Sequence, residues 1–140
     1  MGRMLVTAVI VSALVGAIAG FVAGYVANPA PAAPAPTTRE YWVYTVVLGF
    51  NDTLVNQPHD GFYPDSLTAN KGDTVRIHFF NTEDEAERHT FTIGAPYNIN
   101  QDINWQTNVT FEFTASTAGM FTYLCSFHQP TMRGTLVVLG

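Results

Sequence analysis

The chain has 140 residues, a length that fits one domain, with 47% hydrophobic but only 12% charged residues. That charge fraction is about half the soluble norm, so a membrane segment, an uncharged β-rich surface or both must account for it. Residues 39–140 hold five of the six Lys/Arg and all eleven Asp/Glu, which excludes the basic footprint of a nucleic-acid binder.

The first element is an uncharged run of 23 residues from Leu5 to Ala27. At about 1.5 Å per residue it is long enough to cross a hydrocarbon core of about 30 Å as one helix. Arg3 on its short N-terminal side predicts a cytoplasmic N-terminus and a C-terminal domain outside the cytoplasm, at the cell surface or in the periplasm. A cleaved signal sequence is the rival reading, since Ala17-Ile18-Ala19 fits a small-residue cleavage site. The apolar run continues past that site and exceeds a usual signal core, which favours an anchor that stays attached. Gly16, Gly20 and Gly24 are spaced by four, either as a ridge for helix pairing or because Gly is common in membrane helices.

Residues 28–38 read NPAPAAPAPTT. Proline lacks the N–H and fixes φ, so this stretch is expected to be an extended, semi-rigid linker of roughly 30 Å. The third segment, 39–140, is expected to be a compact all-β domain. Tyr41 to Phe50 is rich in aromatic and β-branched residues. Thr74 to Phe80 alternates, with Val75, Ile77 and Phe79 on one face and Arg76 and His78 on the other. Thr107 to Thr114 alternates again, with Val109, Phe111 and Phe113 inward. The turn Thr117-Ala118-Gly119 leads into Met120 to Cys125, and Thr135 to Leu139 closes the chain. Short alternating strands at this spacing predict a β-sandwich or barrel.

The stretch from Cys125 to Met132 carries the chemistry. Cys125, His128 and Met132 lie on a loop between two expected strands. A single cysteine excludes an intrachain disulfide framework, a Cys-x2-Cys motif and a two-cysteine binuclear copper site. A thiolate, an imidazole and a thioether together suit copper, and a thioether is a poor ligand for zinc or calcium. A trigonal His2Cys site with a weak axial Met needs a second histidine. His89 is the candidate, because it opens the run His89-Thr90-Phe91-Thr92-Ile93 in phase with two residues expected to point inward. Taken singly, a lone Cys or Met is more often core filler, and the order and loop placement of the four residues are what give them meaning. His78 is out of phase with the core, and His59 sits in a Pro-His-Asp-Gly turn, so both read as surface histidines. The run Glu83-Asp84-Glu85 with Glu87 reads as a solvated loop that could also steer a basic partner, with Arg88 weakening its field. Asn51-Asp52-Thr53 and Asn108-Val109-Thr110 match the glycosylation sequon, a weak pattern.

The segment FYPDSLTANKGDTVRIHFFNTEDEAERHTFTI, followed by TFEFTASTAGMFTYLCSFHQPTMRGTLVV, resembles the cupredoxins, the type 1 blue copper proteins of the plastocyanin and amicyanin kind. The likeness spans about residues 62–139. It rests on the Gly72-Asp73 turn, Asn81, His89, Gly119, the Cys-x2-His-x3-Met loop and Arg133-Gly134-Thr135. The resemblance implies a Greek-key β-sandwich, preceded here by one transmembrane helix, and one copper ion held by His89, Cys125, His128 and Met132. It also implies a one-electron carrier rather than an enzyme. Many members carry Asn after the first His where this chain has Thr90, which bears on the hydrogen bonds that tie the ligand loops together.

Two function classes remain open on the sequence. One is an electron carrier anchored through residues 5–27 beside redox partner proteins, such as a membrane respiratory complex or another carrier. The other is a copper protein for storage, delivery or sensing. No His-x-His pair, Ser-His-Asp set or methionine-rich tract is present, which favours the carrier. Its electrons are expected to pass through His128, with Phe127, Gln129 and Pro130 forming a small docking rim.

Overall fold

The computed structural model describes residues 34–140. The expected membrane helix at 5–27 and most of the linker lie outside the described residues. Nine strands are found among the described residues: β1 Thr38–Val47, β2 Asp60–Tyr63, β3 Ser66–Asn70, β4 Thr74–Phe80, β5 His89–Ile93, β6 Ile99–Ile103, β7 Asn108–Thr114, β8 Gly119–Leu124 and β9 Arg133–Leu139. They build two sheets, in the orders β2-β1-β4-β7 and β3-β9-β8-β5-β6. β1 runs parallel to β4 and β3 parallel to β9, and the other pairings are antiparallel. The architecture is an all-β sandwich.

The period-2 patterns set the registers. Val75, Ile77 and Phe79 lie opposite Phe113, Phe111 and Val109, so both strands turn their apolar residues to the same face. That face meets Leu67, Leu136, Phe91, Ile93 and Tyr123 of the second sheet. Phe91 stacks on Tyr123 at 4.7 Å between centroids, and Phe62 and Phe79 meet Phe91 at 5.9 and 5.8 Å. Such pairs add about 0.5–1.5 kcal/mol each beyond the area they bury. Gly134 makes this packing possible, because a Cβ there would run into the Tyr123 ring and the Asp65 carbonyl. His78 lies on the outer face, stacked on Trp42 and 2.8 Å from Glu40 through Nε2.

β1 stops at Val47, short of the expected Phe50. There the chain turns into a single-turn helix, α1 Asp52–Val55, whose Leu54 N–H is capped by Asn51 Oδ1 at 2.9 Å. At its other end β1 begins inside the expected linker. Thr37 N–H donates to Asp73 Oδ1 at 2.8 Å, and Thr38 pairs with Thr74. Asp73 also accepts from Asn70 N–H and Arg39 Nε, both at 2.9 Å. These donors hold its carboxyl well below the usual carboxylate range. Gly72 takes φ +95°, which makes the tight turn between β3 and β4 possible.

Candidate metal centre

His89 is the first residue of β5, Cys125 directly follows β8, and His128 and Met132 lie on the loop that leads into β9. His89, Cys125 and Met132 are wholly buried, while the His128 side chain keeps 18% of its surface exposed. The loop is closed from within. Cys125 N–H donates to Met132 O at 3.0 Å, and Met132 N–H to His128 O at 2.9 Å. Gln129 Nε2 donates to the carbonyls of both Cys125 and Met132, at 2.8 and 2.9 Å. Arg133 Nη2 in turn holds Gln129 Oε1 at 2.7 Å. Gln129, expected on a docking rim, is half-buried and braces the ligand loop.

Three of the four expected ligands converge through their donor atoms. His89 Nδ1 and His128 Nδ1 are 3.1 Å apart, and Cys125 Sγ lies 3.9 Å from the first and 3.6 Å from the second. From one trigonal centre, bonds of about 2.0 Å to nitrogen and about 2.3 Å to thiolate place such donors about 3.5 and 3.7 Å apart. The observed triangle fits a single metal ion, and its His2Cys chemistry, with the buried Met132 on the same loop, is that of a type 1 copper site.

The surroundings prepare the ligands. Burial alone would raise the Cys125 thiol, but His89 and the N–H groups of Thr90, Phe127 and His128 bring it down to about 6. Burial would lower His89, yet its contacts with Cys125 and Glu83 push it up to about 9. The two groups thus favour a thiolate–imidazolium pair, which a bound metal replaces with a thiolate and a neutral imidazole. Thr90 N–H donates to Cys125 Sγ at 3.4 Å, and Thr90 Oγ1 accepts Ser126 N–H at 2.8 Å. Thr90 therefore ties the two ligand segments together.

The acidic run departs from expectation. Glu83 is buried, and its Oε2 accepts from His89 Nε2 at 2.8 Å. Its backbone carbonyl accepts Trp105 Nε1–H at 2.9 Å, and Asn81 Nδ2 holds Glu87 O at 2.8 Å. The loop is therefore folded back over the site, because a donor on His89 and the Asn81 amide both need partners away from water. Glu87 Oε2 lies 3.1 Å from His128 Nε2, and Asp60 Oδ2 lies 3.8 Å from His128 Nδ1. Only Asp84 and Glu85 of the run are fully exposed. Arg88 is bound to Asp102 and lies over the Phe127 ring at 5.4 Å. Sequence reasoning missed Glu83, Asp60 and Gln129. For Glu83 the only available signal was that a loop ending at His89 must start close to it.

A family model described as a cupredoxin-like domain matches residues 17–138. No curated protein sequence matches the chain. Among solved structures, auracyanin A, a "blue" copper protein from Chloroflexus aurantiacus, superposes with a TM-score of 0.54 at 23% identity, over 72% of this chain and 98% of that one. Auracyanin B gives 0.56 at 18% identity, over 78% and 94%. A copper nitrite reductase from Nitrosomonas europaea gives 0.56 at 18% identity, over 73% of this chain but only 41% of that one. These structures share the fold. With the family model covering most of its length, the chain belongs to the cupredoxin-like domain family.

Proposed function

We propose that this chain is a mononuclear type 1 copper protein that carries single electrons and performs no substrate chemistry. The donor triangle of His89 Nδ1, His128 Nδ1 and Cys125 Sγ carries this reading, because it is preformed between the start of β5 and a braced loop at one end of a packed sandwich. When bound, copper supplies one-electron cycling between Cu(I) and Cu(II). The protein's own part is to hold the donors still. Glu83 fixes His89 as the Nε2–H tautomer and leaves Nδ1 free to ligate. Thr90 and Gln129 fix the Cys125 and Met132 segments. Burial of His89 and Cys125 keeps bulk water from the thiolate.

We further propose that residues 5–27 anchor the domain on the outer face of a membrane, where a respiratory complex or another carrier exchanges electrons with it. The enclosed His2Cys donor set and the lack of a methionine-rich tract in the sequence favour the carrier reading over copper storage or delivery. The decisive experiment is the visible spectrum of the copper-loaded protein through repeated oxidation and reduction. An intense thiolate-to-copper band that bleaches and returns without loss of metal is expected. A colourless complex, or copper lost on each reduction, would point to metal handling. Mass spectrometry of the membrane-extracted protein should find the 5–27 segment intact, and a mature N-terminus at Gly20 or in the linker would overturn the anchor.

A further inference from the structure

Asp60, the first residue of β2, is a carboxylate with a side chain only 4% exposed. Its Oδ2 lies 3.8 Å from His128 Nδ1, beyond hydrogen-bond reach. A carboxylate taken out of water without donors is strongly disfavoured unless a positive charge accompanies it. Asp60 faces a cavity of about 500 Å³ that is also lined by Asp52, His59, Glu87 and His128. The ligand-capable atoms of Asp60, Glu87, His89 and His128 all lie within 4.8 Å of one another. Glu87 Oε2 is itself buried and accepts no hydrogen bond among the described residues.

Two donor sets therefore meet at the same pair of imidazoles. Cys125 completes one with a soft sulfur. Asp60 and Glu87 complete the other with hard oxygens, and a set of two carboxylates and two imidazoles suits a borderline divalent ion such as Zn(II) or Cu(II). We propose that Asp60, together with Glu87, lets His89 and His128 hold a divalent cation through oxygen donors in place of Cys125, as an alternative to the first set because His89 Nδ1 serves both. The proposal deepens the reading of this end of the sandwich as a metal centre and rests on it for the two imidazoles alone. The cavity beside Asp60 and His128 supplies the route by which a hydrated ion enters.

The test uses the full-length, metal-free chain carrying Cys125→Ala, titrated calorimetrically with Zn(II) alone. One equivalent is expected to bind, and adding Asp60→Asn should weaken binding tenfold or more. The amide is nearly isosteric and removes a buried charge, so the fold should persist. Glu87→Gln, on a half-exposed residue, is read in the same way and should weaken binding severalfold. Equal Zn(II) affinity with and without Asp60→Asn, or no binding to the Cys125→Ala chain, would overturn the proposal. The unsubstituted chain loaded with copper is measured alongside. Failure of its thiolate band would overturn the electron-carrier reading and leave the zinc result standing on its own.

Discussion

His89 Nε2 and Glu83 Oε2 are 2.8 Å apart, and both side chains are almost wholly removed from solvent. One carboxylate thus fixes the orientation of the ligand ring and places a negative charge a single imidazole away from the metal position. A charge so placed favours the more positive oxidation state, because little water screens it. Glu83→Gln keeps a hydrogen-bond acceptor and removes the charge. Its copper-loaded form should retain the thiolate band and shift toward Cu(I) by at least tenfold, a rise of about 59 mV for one electron. Potentiometric titration of both proteins checks this, and an unchanged or lower potential would show that the charge is already compensated.

Cys125 and Met132 should separate cleanly under substitution. The thiolate makes the short covalent bond responsible for intense colour, while a thioether in this kind of site is a long, weak ligand that tunes potential. Cys125→Ser is expected to abolish the visible band. Met132→Gln is expected to retain copper with an altered potential. A Cys125→Ser protein with its visible band intact would mean that the colour arises from other donors.

The central strands and the three converging donors, His89, Cys125 and His128, were legible in the sequence because each follows a local rule. β4 and β7 alternate strictly, since one face of each is core and the other is not. The Cys125–Met132 loop shows its chemistry in residue types alone. β2, β3 and β6 were not legible. β2 buries Asp60, Gly61 and Phe62 in succession, so no alternation exists to be read, and β3 and β6 are five-residue edge strands. Glu83 looked like a solvated acid because its burial depends on a long-range partner, His89. The bracing role of Gln129 was not legible, because the two backbone carbonyls that take its amide are brought together only by the folded loop. Thr90 lacks the amide common in the family, yet its hydroxyl and N–H join the same two segments.

Asp73 makes a prediction about acid stability far from the metal centre. Its carboxyl is lowered by the Thr37 and Asn70 N–H groups and by Arg39, so the folded state binds fewer protons there than the unfolded chain does. The stabilisation is fully present above the unfolded value of about 3.9 and is lost as pH falls below it. Asp73→Asn should therefore lower the urea midpoint at pH 7, and the gap from the parent protein should narrow at pH 3. A gap of equal size at both pH values would mean that the turn is held by shape rather than by charge.

Electron exit is the last relationship to test. His89 and Cys125 are sealed in the sandwich, whereas His128 retains 18% exposure at the tip. Beside it Phe127 is 50% exposed, and Pro130 is exposed as well. Gln129, half-buried beside them, spends its amide on the carbonyls of Cys125 and Met132. A small apolar rim suits brief encounters, which bury little area. Phe127→Asp places a charge on that rim beside His128, whose ring the Phe127 ring meets edge-on at 6.4 Å, and leaves the Gln129 brace in place. Electron-transfer rates to small redox reagents should fall about tenfold or more, with the visible spectrum unchanged. The competing route crosses the acidic loop, where Asp84 and Glu85 remain exposed and Glu83 does not. Neutralising Asp84 and Glu85 together should leave rates to uncharged reagents the same and alter only their dependence on salt with charged ones. A large loss of rate from that pair, with none from Phe127→Asp, would move the exit from His128 to the acidic loop.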